Sequence, residues 1–221
     1  MYRLCGGKMT ETIVDQGDEV VIGNHRQAVV LITSIADLQG AVDGIPFATE
    51  FMLSMKNIHL AWYEYALYKG PYAGHPPARD WNLESMGNTD LGEPLVAPWS
   101  GIVITAADIG GSVGRVIQIL GLTPEGEMVV WAGWHLHSID VSQGQIVQVG
   151  DLIGSIGNAD GRYAGAHLHE QIAVVNGSYG IPSPSAFTTD LRYQWRDPLN
   201  FYVEHGVDEA LVERMSLFDG E

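Results

Sequence analysis

The sequence predicts a mainly β protein, an antiparallel β-sheet or barrel-like sandwich with an N-terminal extension and a short C-terminal helix. Three observations predict it. From Pro94 onward, short apolar runs of strand length recur between glycine turns, as they do in antiparallel domains. Two of these runs, Arg115 to Leu120 and Met128 to Trp134, flank Thr123-Pro124-Glu125-Gly126-Glu127 as a hairpin. Helical spacing is confined to the tail, where Leu211 and Met215 share one face of the segment from Asp208 to Met215.

Taken in order, the stretch from Thr12 to Ser34 alternates apolar runs with Gln-Gly-Asp-Glu and Gly-Asn-His-Arg, which reads as two or three strands with turns. Pro46 to Tyr68 fits neither period cleanly, and its aromatic residues favour a strand from Ile58 to Tyr68. Leu95 to Pro98, Gly101 to Thr105, Gln145 to Val149, Leu152 to Ile156 and His167 to Val175 continue the strand series. The expected division is an extension packed on the core over 1–70, the main domain over 71–205 and a helical tail over 206–221.

At 221 residues with 46% hydrophobic content, the chain can bury one sizeable core. Its formal net charge of -16 makes nucleic acid and anionic membrane surfaces poor partners, because long-range repulsion opposes both. Cys5 is the single cysteine, which excludes an internal disulfide and any cysteine-based zinc cluster. No apolar run of signal-peptide type follows Met1, and none approaches the ~20 residues of a membrane span. The sequence carries no visible export signal and says nothing of oligomeric state.

Any metal site must therefore draw on histidine and carboxylate. Of eight histidines, four fall in two pairs, His135-Leu136-His137 and His167-Leu168-His169. On a strand, residues two apart project from one face, so His167 and His169 point together while Leu168 turns to the core. Such a pair is weak evidence taken alone. His75 and Asp80 lie in Gly74-His75-Pro76-Pro77-Ala78-Arg79-Asp80-Trp81, a loop stiffened by two prolines. Together with one histidine of the pair they make a three-ligand set with a position left for water, the pattern of catalytic zinc. The ordinary alternatives are a hydrogen-bonded loop histidine at 75 and a capping carboxylate at 80, or one paired with Arg79.

These residues occur in an order that resembles the M23 metallopeptidases, the lysostaphin-like family that cuts peptides of bacterial cell walls. The resemblance runs from Gly74 to Val175, about half the chain. It comprises His75 with Asp80, the stretch Gly92 to Val103 containing Val96-Ala97-Pro98, His135-Leu136, the stretch from Val141 through Gly150-Asp151 to Gly157-Asn158, and Gly165-Ala166-His167-Leu168-His169. It implies the M23-type fold, a zinc ion held by His75, Asp80 and His169, and catalytic histidines at 135 and 167. It also implies hydrolysis of peptidoglycan peptides through an activated water at the bacterial envelope. With no visible export signal, two settings are expected: a phage-encoded or virion-associated protein, which is favoured, or a cellular protein exported by another route. A catalytically silent M23-like binding or virion structural domain is the alternative. Four residues separate His75 from Asp80 where the family more commonly has three, so Asp80 is the ligand to test first, with Asp90 next in line. Glu170 stands where an aromatic residue is usual, and a solvent-facing carboxylate is expected there. His137 reads as a bystander or groove residue, and the loops 108–114 and 158–164 as rims of the groove.

Other families with a similar barrel signature fit less well. Biotinyl or lipoyl carriers need a lysine on a barrel hairpin, whereas Lys8, Lys56 and Lys69 all lie upstream. The segment around His135 does not match the phosphorylated segment of a IIA-type phosphocarrier.

Overall fold

The computed structural model describes residues 2–5, 8–12, 19–22, 25–28, 45–55, 63–65, 78–82, 87–175 and 193–207. Two hairpins lie near the N-terminus, β1 (Tyr2–Cys5) with β2 (Lys8–Thr12) and β3 (Glu19–Ile22) with β4 (His25–Ala28). The main sheet is antiparallel and has eight strands. In spatial order they are β12 (Ile146–Val147), β8 (Gly101–Asp108), β9 (Arg115–Leu122), β10 (Met128–Leu136), β14 (Leu168–Val175), β6 (Ala78–Trp81) and β5 (Tyr63–Tyr65). The eighth, β15 (Tyr193–Arg196), pairs with Ile172 to Val175, so β6 and β15 share successive halves of one edge of β14. A smaller sheet orders β11 (Ser138–Ile139), β13 (Leu152–Ser155) and β7 (Pro94–Val96). Among the described residues the strands do not close into a barrel, and the β-sheet expectation holds in its open, layered form.

The recurring runs become strands because their alternate residues can be buried on opposite faces. On one face, Ile117 and Ile119 of β9, Val129 and Trp131 of β10, and Leu168, Ile172 and Val174 of β14 form the principal core with Leu95, Trp99, Ile153 and Ile156. The opposite face is also covered, by a cluster of Ile45, Ile102, Ile104, Leu120, Leu122, Val130 and Val175 and by a second of Val113, Val116, Ala132 and Trp134. Every residue of β14 is buried as a result. Residues 45–55 join this core. Ile45, Ala48, Leu53 and Met55 are buried, Ala48 N donates to Leu122 O, and Met52 N donates to Pro98 O.

Glu170 corrects one expectation. Because β14 alternates, Glu170 points to the same side as Leu168 and Ile172, and it lies in the principal core with 0% exposure. Its carboxylate accepts hydrogen bonds from Ser54 Oγ (2.9 Å), Trp81 Nε1 (2.7 Å), Trp131 Nε1 and Tyr202 Oη (2.7 Å). Burial pushes its pKa up, the four donors pull it back, and the net shift is upward. Four donors on one carboxylate offset much of the cost of burying it, and they join residues 45–55, β6, β10 and the C-terminal helix at one point.

That helix, α1 (Pro198–Glu204), lies upstream of the predicted one, which falls at 208–215, outside the described residues. Asp197 starts it, accepting from Leu199 N, and Pro198 takes a first-turn position where its missing N–H costs nothing. Asp197 also receives both Nε and Nη2 of the buried Arg79, each at 2.8 Å. Arg79 is thus engaged by Asp197 and leaves Asp80 to its histidine neighbours. The hairpin of β9 and β10 and the strands β7, β8, β12, β13 and β14 match the sequence reading, β11 forms where no strand was expected, and Tyr63–Tyr65 falls inside the favoured strand.

Candidate active site

Three side chains stand in a row across three adjacent strands. Asp80 of β6 is directly opposite His169 of β14, which is directly opposite Trp134 of β10. The antiparallel register brings such pairs within reach of one another. Asp80 Oδ1 meets His169 Nδ1 at 2.7 Å, and the indole of Trp134 stacks on the imidazole, with centroids 4.5 Å apart and planes 27° from parallel. The other edge of that ring, Nε2, lies 3.0 Å from the side-chain amide of Gln171, two residues along the same face of β14. His169 is therefore held on both edges and one face.

The other two expected histidines present a different edge. His167 Nδ1 lies 3.1 Å from Gly165 O, and His135 Nδ1 lies 3.2 Å from Val113 O. A carbonyl only accepts, so each Nδ1 carries a proton and each neutral ring leaves a lone pair on Nε2. His167 Nε2 is 4.0 Å from Asp80 Oδ2, and the rings of His135 and His167 meet edge to face at 4.7 Å. Burial, then the neighbouring His169 and His167, push the His135 pKa down to about 3, against the opposing pull of Asp80 and of Val113 O. Burial pushes the Asp80 pKa up, but the hydrogen bond from His169 and the charges of His169, His167 and His135 outweigh it and the net shift is downward.

His135 reaches this place through an unusual backbone. It has φ 66°, the left-handed region that a non-glycine residue occupies at a cost of about 1–3 kcal/mol, and the β9–β10 register slips between Gly133 and Leu136. The bulge re-aims the side chain at the end of β10. Gly157 makes room for it: a Cβ there would lie 2.3 Å from His135 O and 2.5 Å from His137 N. His137, beyond the bulge, is exposed.

The two predicted rim loops come together beside His135. Tyr163 Oη donates to Ser112 O at 3.2 Å, and Arg115 Nη1 pairs with Asp160 Oδ1 at 2.8 Å. A cleft of about 290 Å³ lies between the loops, bounded by Asp108, Gly110, Gly114, Ala159, Asp160 and Arg162. The ring of Tyr163 packs 4.5 Å from His135 and 5.0 Å from His167. Tyr163, Trp134 and Gln171 are site residues that sequence reasoning did not single out. Gln171 had a usable signal, its two-residue offset from His169 on a predicted strand, whereas Trp134 depends on a register between strands that no local pattern reveals.

The family model of Peptidase family M23 matches residues 86–180. Over that stretch the chain carries an M23 peptidase domain. The matched stretch contains His135, His167 and His169 and begins downstream of His75 and Asp80. Among solved structures, the chain is similar to the antimicrobial peptidase lysostaphin from Staphylococcus simulans, with 22% identity over 72% of this chain and 55% of that one and a TM-score of 0.48. It is similar to LytU at 23% identity over 70% of this chain and 91% of that one, with a TM-score of 0.43. A zinc-containing peptidase from Vibrio cholerae is 20% identical over 65% of this chain and 40% of that one, with a TM-score of 0.41. The chain thus spans little more than half the length of the lysostaphin structure it matches. No curated protein matches the chain.

The pairing of β6, β14 and β10 brings four of the five expected site residues together: Asp80, His135, His167 and His169. His75 lies outside the described residues. Among the described residues no group of three His, Cys, Asp or Glu closes a metal site. The two expected ligands that are described nevertheless fit a zinc ion by donor chemistry. An imidazole nitrogen of the buried His169 and a carboxylate oxygen of the partly exposed Asp80 face one another at 2.7 Å, and ligands at tetrahedral zinc stand about 3.3 Å apart for bond lengths near 2.0–2.1 Å. A small outward movement of either side chain opens that gap.

Proposed function

We propose that this chain is a zinc-dependent endopeptidase that hydrolyses peptide bonds of bacterial peptidoglycan. The single observation that carries the reading is the split in imidazole orientation. His169 turns Nδ1 toward Asp80, whereas His135 and His167 tie Nδ1 to backbone carbonyls and keep Nε2 free. One histidine is arranged as a ligand beside a carboxylate, and two are arranged as proton acceptors.

His75, Asp80 and His169 would hold the zinc, which supplies a Lewis acid and lowers the pKa of bound water toward ~7. His135, which burial and its histidine neighbours keep neutral at rest with a pKa of about 3, offers its Nε2 lone pair to a proton of the attacking water. His167 holds a second Nε2 lone pair close to Asp80 Oδ2, where it orients a water or, once protonated, donates to a developing oxyanion. Tyr163 covers the two rings on the side of the rim loops and limits their contact with bulk water. The peptide lies along the cleft between the loops 108–114 and 158–164. The setting proposed is the bacterial cell wall, reached by a phage-encoded or virion-associated protein, and among the described residues no helix is long and apolar enough to cross a membrane.

The decisive experiment measures bound zinc and solubilisation of purified peptidoglycan for the wild type, His169→Ala, Asp80→Ala and His135→Ala. The first two substitutions are expected to remove zinc and activity together. His135→Ala is expected to keep zinc and lose about 10²–10⁴-fold in rate, the usual worth of a general base. A wild type that binds zinc but leaves peptidoglycan intact would favour a silent binding domain, and a wild type that binds no zinc rejects the metal mechanism.

A further inference from the structure

We infer that Gln171 is a positioning residue that sets the tautomer of His169 and lets that imidazole exchange a proton for a metal ion at Nδ1. The inference rests on the zinc reading of Asp80 and His169 but concerns a residue outside the ligand and helper sets.

The physical problem is specific to this ring. His169 Nδ1 lies 2.7 Å from Asp80 Oδ1, so Nδ1–H donates to the carboxylate and the lone pair stays on Nε2. The Gln171 amide nitrogen lies 3.0 Å from that Nε2, so the amide N–H donates to it. A metal bound at Nδ1 requires the opposite tautomer, with its proton on Nε2. The proton lost from Nδ1 is then matched by one taken up at Nε2, with no net change on the ring, and Nε2–H needs an acceptor.

Glutamine serves both states. A half-turn of its amide replaces the donor NH₂ by the acceptor Oε1 at nearly the same position. A leucine serves neither state, and a glutamate, which only accepts, serves the metal-binding one. On the flanking strands Gln171 stands opposite two small residues, Ala78 on β6 and Ala132 on β10. Gln171 is 2% exposed, so water is a poor substitute partner for Nε2. Trp134, stacked on the ring, blocks the rotation that would otherwise let the imidazole seek another partner.

The test compares wild type, Gln171→Leu and Gln171→Glu by zinc competition against a chromogenic chelator and by ¹⁵N chemical shifts of the His169 ring in zinc-free protein, with far-UV circular dichroism to establish folding. Zinc affinity is expected to fall about 10- to 100-fold in Gln171→Leu, the usual effect of removing the partner of a ligating histidine, and to be kept or raised in Gln171→Glu. In zinc-free protein Nε2 is expected to be unprotonated in the wild type, where the amide N–H donates to it, and protonated in Gln171→Glu, where it faces a carboxylate. Unchanged zinc affinity in a folded Gln171→Leu, or an Nε2 that stays unprotonated in Gln171→Glu, overturns the inference. Absence of zinc binding in the wild type overturns the metal reading instead, and the ring shifts then still decide whether Gln171 sets the tautomer.

Discussion

At the scale of single residues, the site depends on which imidazole nitrogen faces which partner. His135 has its pKa held at about 3, well below the 6.5 of an exposed histidine, chiefly by burial. The unfolded chain therefore binds a proton between about pH 6.5 and 3 that the folded chain refuses. This group favours the fold above pH 6.5 and withdraws that support as pH falls toward 3. Denaturation of zinc-free protein followed from pH 7 to pH 4 is expected to show falling stability, with a shallower decline in His135→Phe. Glu170 makes a second residue-level case. Replacing it by Ala strands four buried donors and is expected to cost about 3–5 kcal/mol by urea denaturation, as for other broken buried charge networks. Glu170→Gln keeps one acceptor oxygen but turns an NH₂ toward another donor, so a smaller loss of about 1–3 kcal/mol is expected.

At the scale of elements, β6 is the strand on which fold and site meet. Asp80 faces His169, while its neighbour Arg79 points to the other side and grips Asp197 through two nitrogens. Asp197 in turn begins α1, whose Leu199, Phe201 and Tyr202 are buried. Removing this carboxylate leaves a buried guanidinium without its bidentate partner and a helix without its cap. Asp197→Ala is expected to lose about 3–5 kcal/mol of stability. Because β6 contributes only four residues, and Leu168 to Gln171 pair with all of them, loosening it is also expected to weaken zinc binding. Denaturant titration with and without zinc separates the two effects, since zinc restores stability only in proportion to its remaining affinity.

At the scale of the molecule, two features lead to tests. Residues 45–55 are built into the core, with Ser54 donating to Glu170 and Met55 bridged to Leu95. The proposed boundary near residue 70 therefore separates parts that share one core. A chain beginning at residue 44 is expected to fold cooperatively, whereas one beginning at residue 71 is expected to be insoluble or molten when examined by near-UV circular dichroism. The net charge of -16 bears on the proposed substrate, because bacterial walls are themselves anionic. Raising ionic strength from 0.01 to 0.15 M shortens the screening length from about 30 to about 8 Å. Activity on intact walls is expected to rise over that range, while activity on a small neutral peptide fragment stays level.

Much of this was legible in local sequence. Of the strands from β7 to β14 all but the two-residue β11 announce themselves because antiparallel pairing repeats every two residues and glycine turns punctuate it, and the spacing of His167 and His169 follows from the same pleat. The family resemblance, carried by short motifs in fixed order, separated expected ligands from expected helpers. Tertiary structure alone decided the rest. Register between strands is a property of pairs, so only the assembled sheet could put Trp134, His169 and Asp80 in one row. Only the bulge at Gly133 to Leu136 could turn His135 into the site from a left-handed backbone. Whether Glu170 meets water or a core lined with hydrogen-bond donors likewise depends on Ser54, Trp81, Trp131 and Tyr202, residues between 32 and 116 positions away in the chain. A carboxylate carries no mark in the sequence of the donors that folding will bring to it.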